Sequence, residues 1–233
     1  MIRDPSSKPV HGARSTVNYY LETDGQVFLV KERGLWRFPN KTGVIPCPFT
    51  VLHRIPVDGH HVLFSKPELK NHPHHWFYKD DLIGDPRIDP LVQKAVLRTY
   101  PRGAAKVAII EKGKVIMVKA GRGITKGYWN LPGGFIGYGE HPDESAKREV
   151  LEELGIRVKL IKVLGIYSQV FPRTGGYMIS FVYLGRRLSK KLKPHPEEIE
   201  QVEWMPVRHA LKVTLNPFAK AALRDYLRGN VSV

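Results

Sequence analysis

The alternation of apolar and polar positions is clearest in the second half of the chain. Residues 104–119, AAKVAIIEKGKVIMVK, read as two β-rich runs on either side of Lys112–Gly113, the pattern of a hairpin. A glycine-rich loop over 121–127 leads into YWNLPGG at 128–134. The next segment, HPDESAKREVLEELG, predicts a helix. Pro142 suits the first turn, Asp143 and Glu144 suit its positive end, and Gly155 suits the position just past the last turn. Ala146, Val150 and Leu154 recur every four residues and supply its buried stripe. Strands are predicted over 157–167, 177–184 and 202–207, and an amphipathic helix over 215–229 that ends at Gly229. The class is α/β or α+β, with a mixed β-sheet.

The first hundred residues read differently, as a β-rich N-terminal domain with little helical pattern before 89–99, so domains are expected at 1–100 and 101–233. One stretch echoes the second half. The run GQVFLVKERGLWRFP at 25–39 repeats the order of GKVIMVK…YWNLP at 113–132, yet residues 40–57 contain no Glu or Asp. It is either a degenerate copy of the later hairpin or a chance β pattern.

Composition narrows the classes. At 42% hydrophobic residues there is ample material for a packed core, and no apolar run approaches the ~18 residues of a membrane span. The N-terminus has no apolar secretory core, and a single cysteine, Cys47, cannot build a disulfide framework or a paired-cysteine zinc site. A cytoplasmic protein without membrane contact is expected. The net charge of +15 attracts polyanions, whether nucleic acid or phosphate-rich small molecules, without choosing between them. The basic tract at 186–193 and the histidines at 60–61 and 71–76 read as solvated loops.

Chemistry concentrates in residues 134–156, GFIGYGEHPDESAKREVLEELGI. On a helix, Glu149, Glu152 and Glu153 stand at i, i+3 and i+4, so their carboxylates share one face. Like charges on one turn repel, and a hard cation such as Mg²⁺ would turn that repulsion into a ligand set. Arg148 can offset part of the charge and hold a neighbouring carboxylate with its planar fork. Gly133 and Gly134 allow close backbone approach, and a carbonyl there could complete a metal shell. Seven fixed residue types at these spacings would coincide by chance with odds on the order of 10⁻⁶ or less.

This segment matches the Nudix box in every defined position, and the flanking strands, YWNLPGG and VEWMPV resemble the Nudix fold over about 103–230. The resemblance implies a mixed β-sheet sandwiched between helices and a Nudix diphosphohydrolase that cleaves a diphosphate linkage with Mg²⁺ or Mn²⁺. By that analogy Glu149, Glu152 and Glu153 are the metal ligands, Glu140 and Arg148 orient them, and Glu152, Glu153 and Arg148 count among the catalytic residues; the Gly133 carbonyl is a further candidate ligand, with Gly134 supporting. Many members take a further carboxylate from a loop outside the box. Here the candidates are Glu197, Glu198 and Glu200, with Glu198 favoured as base.

The substrate is less legible. Pro172 lies sixteen residues beyond Ile156, near where ADP-ribose hydrolases of this family carry a proline. The run YSQVFPRTGGYMISF at 167–181 is similar in part to the signature of NADH diphosphatases, and TYPRGAAKVAII at 99–110 resembles their catalytic lead-in. Those enzymes usually carry a four-cysteine zinc ribbon, which one cysteine cannot build. Both clues imply an adenosine diphosphate derivative, such as ADP-ribose, a dinucleotide or an ADP-sugar. Trp129, Tyr167, Phe171 and Tyr177 are candidates to stack on the base, and Arg173 to pair with phosphate. Two other readings stand beside this one: a nucleic-acid-binding regulator that uses the domain as a ligand sensor, and an enzyme acting on RNA 5′ ends. A homodimer built through the N-terminal domain is a further expectation.

Overall fold

The computed structural model describes residues 17–69, 75–122, 125–171 and 175–229, which form two compact units. The first comprises Met1–Thr99 with Pro172–Gly175, the second Tyr100–Phe171 with Gly176–Val233. The class is mixed α+β, as the periodicities imply.

In the first unit the strands are β1 (Asn18–Thr23), β2 (Gln26–Phe28), β3 (Val30–Glu32), β4 (Leu35–Arg37), β5 (Phe49–Val57), β6 (His60–Pro67) and β7 (Trp76–Tyr78). The helices α1 (Lys79–Leu82) and α2 (Pro90–Thr99) follow. Five strands form a sheet in the order β5-β6-β1-β2-β7, and β3 pairs with β4 as a separate hairpin. Tyr20, Leu21, Val27, Phe28 and Val62 are buried on the sheet, together with Val92, Ala95 and Val96 of α2. Burying this apolar area is the main stabilising contribution.

The second unit contains β8 (Arg102–Glu111), β9 (Lys114–Ala120), β10 (Trp129–Asn130), β11 (Gly133–Phe135), α3 (Pro142–Leu154), β12 (Val158–Val170), β13 (Tyr177–Arg187), β14 (Ile199–Pro206), α4 (Val207–Val213) and α5 (Pro217–Arg228). Its seven-stranded sheet runs β10-β9-β8-β13-β12, with β11 on β8 and β14 on β9. The β8–β9 hairpin turns at Lys112–Gly113, both at positive φ (46° and 75°), as a type I′ turn requires. Strand alternation sends side chains to two cores. Ala105, Val107 and Ile109 meet Ala146, Val150 and Leu154 of α3 on one face. On the other, Ala108, Val115 and Met117 meet Ala210 of α4 and Ala219, Ala222 and Leu223 of α5. The sheet therefore lies between helices, and α4 is an element that the pattern over 202–215 did not announce.

The two sheets share a plan. The strands β5-β6-β1-β2-β7 have the same order and polarity as β12-β13-β8-β9-β14. In each, the outer pair is antiparallel, the next parallel, and the remaining two antiparallel. A bridge from Asn18 to Asn40 stands where β11 pairs with β8. From there the first unit reaches β5 through residues 41–48, whereas the second inserts α3 before β12.

Helix α5 shows how its start is fixed. The Asn216 Oδ1 accepts the N–H groups of Phe218 (3.0 Å) and Ala219 (3.1 Å), and Pro217 opens the first turn. Replacing Asn216 with Ala should cost about 1 kcal/mol of stability, read as a lower urea midpoint.

Candidate active site

Helix α3 is held at both ends. At its start Glu144 accepts the His141 N–H at 3.3 Å. At its end Gly155 turns into the left-handed region (φ 65°) and its N–H reaches the Leu151 carbonyl at 2.9 Å. The last carbonyls are taken up by the following loop: Lys193 N–H donates to Leu154 (2.8 Å) and His195 N–H to Glu153 (2.9 Å). With one stripe of the helix buried, the face carrying Glu149, Glu152 and Glu153 points away from the core.

Arg148 gathers these acids. Its Nε and Nη2 grip both oxygens of Glu140 at 2.7 and 2.9 Å, while Nη1 donates to Glu149 and Glu152, each at 2.8 Å. Glu140 also accepts the Gly137 N–H at 2.8 Å, which anchors the approach loop. The Arg148 guanidinium, aided by that N–H, holds the Glu140 carboxyl down at about 2. Glu140 is therefore a permanent anion and the fork is fully engaged.

Glu153 is buried deeper, with Oε2 accepting the Gly133 N–H at 2.9 Å. Burial pushes its carboxyl up to about 7, and the neighbouring Glu149 and Glu198 add to the shift. Lys106 and the Gly133 bond oppose it. Glu149 is likewise raised by burial, with Arg148 opposing. Both glycines are required by close approach. Gly133 sits at φ 134°, and a Cβ there would lie 2.6 Å from the Lys106 Cα. A Cβ on Gly134 would lie 2.5 Å from the Glu149 carboxyl carbon, so the absent side chain is the space that the carboxylate occupies.

These groups border a cleft of about 410 Å³. Glu149, Glu152, Glu153 and Glu198 form its acidic side, and Phe171, Met178 and Phe218 its apolar side. The Phe171 and Phe218 rings meet edge to face at 5.9 Å. Arg122 pairs with Glu198, and the Glu198 carbonyl accepts the Gly121 N–H at 2.8 Å, tying the two loops together at the rim.

The NUDIX domain profile matches residues 99–226, more than half of the chain. The chain belongs to the Nudix family. It is 27% identical over 153 residues to the ADP-ribose pyrophosphatase of Methanocaldococcus jannaschii, covering 64% of this chain and 89% of that protein. It is 30% identical over 112 residues to the NAD-capped RNA hydrolase NudC of Pseudomonas syringae pv. syringae, covering 48% of this chain and only 39% of that enzyme. Among solved structures, the MutT protein of Methanosarcina mazei Go1 is similar in fold at a TM-score of 0.51 and 24% identity, over 57% of this chain and 97% of that one. The protein is thus a diphosphohydrolase of a family that acts on nucleotide substrates and generally uses divalent metal ions.

Within this Nudix domain, Gly133, Gly134, Glu149, Glu152, Glu153, Glu198 and Phe171 all line one cleft, and Glu140 and Arg148 stand behind it. Of the three loop candidates, Glu198 alone lines the cleft; Glu197 is exposed, and Glu200 pairs with Lys119 at 2.6 Å. Trp129 and Tyr167 lie elsewhere, packed against the core on the α5 face, and Tyr177 does not line the cleft either. Pro172 and Arg173 lie outside the described residues. Sequence reasoning missed Lys106, Arg122, Met178 and Phe218. For Lys106 a signal existed: it is the one charge inside the apolar run AAKVAII.

Among the described residues, no three acidic, histidine or cysteine side chains stand close enough together to hold a metal ion as they are placed. The donor set nevertheless fits a hard cation. It is all oxygen, three carboxylates and a backbone carbonyl, buried acids raise one another's affinity for a proton, and Gly134 leaves room for the Glu149 carboxylate. No helix among the described residues is long and apolar enough to cross a membrane.

The Tyr167 hydroxyl donates to Asp225 of α5 at 2.9 Å and ties that helix to β12. Tyr167→Phe should therefore lower stability by about 1 kcal/mol in urea denaturation, with the Michaelis constant unchanged. A raised Michaelis constant at unchanged stability would return Tyr167 to the substrate.

Proposed function

We propose that this enzyme hydrolyses the diphosphate linkage of an adenosine diphosphate derivative, ADP-ribose or a related dinucleotide or ADP-sugar, with Mg²⁺ or Mn²⁺. The observation that carries the reading is the two-sided cleft, with carboxylates on one side and the Phe171–Phe218 pair on the other. Such a cleft suits a diphosphate flanked by a flat base. The likeness to the ADP-ribose pyrophosphatase of M. jannaschii supports it over most of that protein's length.

In this reading Glu149, Glu152, Glu153 and the Gly133 carbonyl hold the metal, which when bound neutralises the diphosphate and activates water. Glu198 acts as general base: it lines the cleft, and Arg122 and the Gly121 N–H hold it in place. Arg148 positions rather than reacts, since its donors are spent on Glu140, Glu149 and Glu152. Phe171 packs against the base, and the buried Phe218 backs it edge to face and excludes water from that side. The first unit serves as a catalytically silent copy of the same sheet, supported by the shared strand plan and the absence of acidic residues over 40–57.

A second reading places the same chemistry on an RNA 5′ end. The net charge of +15 and the similarity to NAD-capped RNA hydrolases favour it. Relative rates on ADP-ribose, NADH and an NAD-capped oligonucleotide decide between the two. A binding slope against salt near zero for RNA and DNA would dispose of a purely nucleic-acid-binding regulator.

The decisive experiment is a Mg²⁺-dependent hydrolysis screen over those substrates, ADP-sugars and dinucleoside polyphosphates, run beside two variants. Glu152→Gln and Glu198→Gln should each lower kcat on the order of 10²-fold or more. No turnover of any substrate by the unaltered protein would overturn the reading. Phe171→Ala should raise the Michaelis constant several-fold, the equivalent of about 0.5–1.5 kcal/mol of lost stacking, with a smaller effect on kcat. An unchanged Michaelis constant would remove Phe171 from the base site.

A further inference from the structure

Lys106 is a lysine where the strand pattern calls for an apolar residue. It lies in β8 between Ala105 and Val107, both fully buried in the α3-side core, and its own side chain turns to the other face and lines the cleft. A buried ammonium is costly unless it is paired. Here the Nζ donates to the Gly133 carbonyl at 3.3 Å; burial pulls the ammonium's pKa down, and the nearby Glu153 and Glu149 oppose that shift. Its partners are three of the four oxygen-bearing groups assigned above to the metal. Register fixes the arrangement, because Lys106 stands opposite Gly133 across the β8–β11 ladder.

We propose that Lys106 is a built-in counter-cation of the metal site: it holds Gly133, Glu149 and Glu153 together while no metal is bound, and it competes with the divalent ion for them. The inference rests on the metal assignment of the preceding section. A positive charge among the ligands weakens binding of a second cation through like-charge repulsion, and the Nζ occupies a carbonyl that the ion needs. Metal-free and metal-bound forms then differ in where this ammonium points, and the domain does not depend on the ion to fold. Lys106 is a positioning residue in this account, because it acts on the ligands and not on the reacting atoms.

The test is titration of Mn²⁺ alone into the full chain, read by calorimetry and by the paramagnetic resonance of free Mn²⁺, together with melting of the metal-free protein. Lys106→Met should bind the first Mn²⁺ on the order of tenfold more tightly than the unaltered protein, and should melt lower without metal. Lys106→Arg, which keeps the charge, should retain the weaker affinity. Should Lys106→Met fail to fold, Lys106→Gln keeps a donor for the Gly133 carbonyl without the charge, and tightening is expected there too. A neutral variant with unchanged or weaker Mn²⁺ affinity overturns the counter-cation role, even if its melting temperature falls, because a purely structural lysine would give that result. Absence of Mn²⁺ binding by the unaltered protein overturns the metal assignment and this inference together.

Discussion

Three carboxylates on successive turns of one helix repel each other, and the geometry of the second unit is organised around containing that repulsion. The Arg148 guanidinium does most of it. One edge grips Glu140 with two short bonds, and the remaining donors reach Glu149 and Glu152. Because Glu140 belongs to the loop before α3, the same side chain that neutralises the helix also fixes the chain that enters it. A lysine could supply the charge without the fork, and the loop would lose one of its two tethers.

The glycine pair solves the complementary problem of distance. Carboxylates on a helix that packs against a sheet are kept from the strands by side chains on both surfaces. At Gly133 and Gly134 one of those surfaces is bare, so Glu153 reaches a backbone N–H and Glu149 occupies what would be a Cβ position. The depth that results is also what raises the proton affinity of both acids. Close approach, burial and altered acidity are thus one structural fact seen in three ways.

The sequence carried the second unit well because its signals are local. The hairpin turn at Lys112–Gly113, the caps of α3 and the spacing of Ala146, Val150 and Leu154 depend on neighbours in the chain. The acidic face was legible for the same reason. What it could not carry was long-range. Whether an aromatic in or beside a strand faces the cleft or the core depends on what packs above it, which separates Phe171, just past β12, from Trp129 and Tyr167. Phe218 belongs to the cleft only because α5 returns across the sheet, and Asn216 sets where that helix starts. Glu198 stands out from Glu197 and Glu200 through loop contacts to residues 121 and 122, far away in the chain.

The common strand plan of the two units separates architecture from chemistry. In the first, a five-stranded sheet of this order buries its core with only residues 41–48 where the second has the acidic helix. The strand plan is therefore compatible with either connection, the short loop or the acidic helix. In the second unit α3 also closes the core through Ala146, Val150 and Leu154, so it is its outward acidic face that is free to change at the pace that substrates demand.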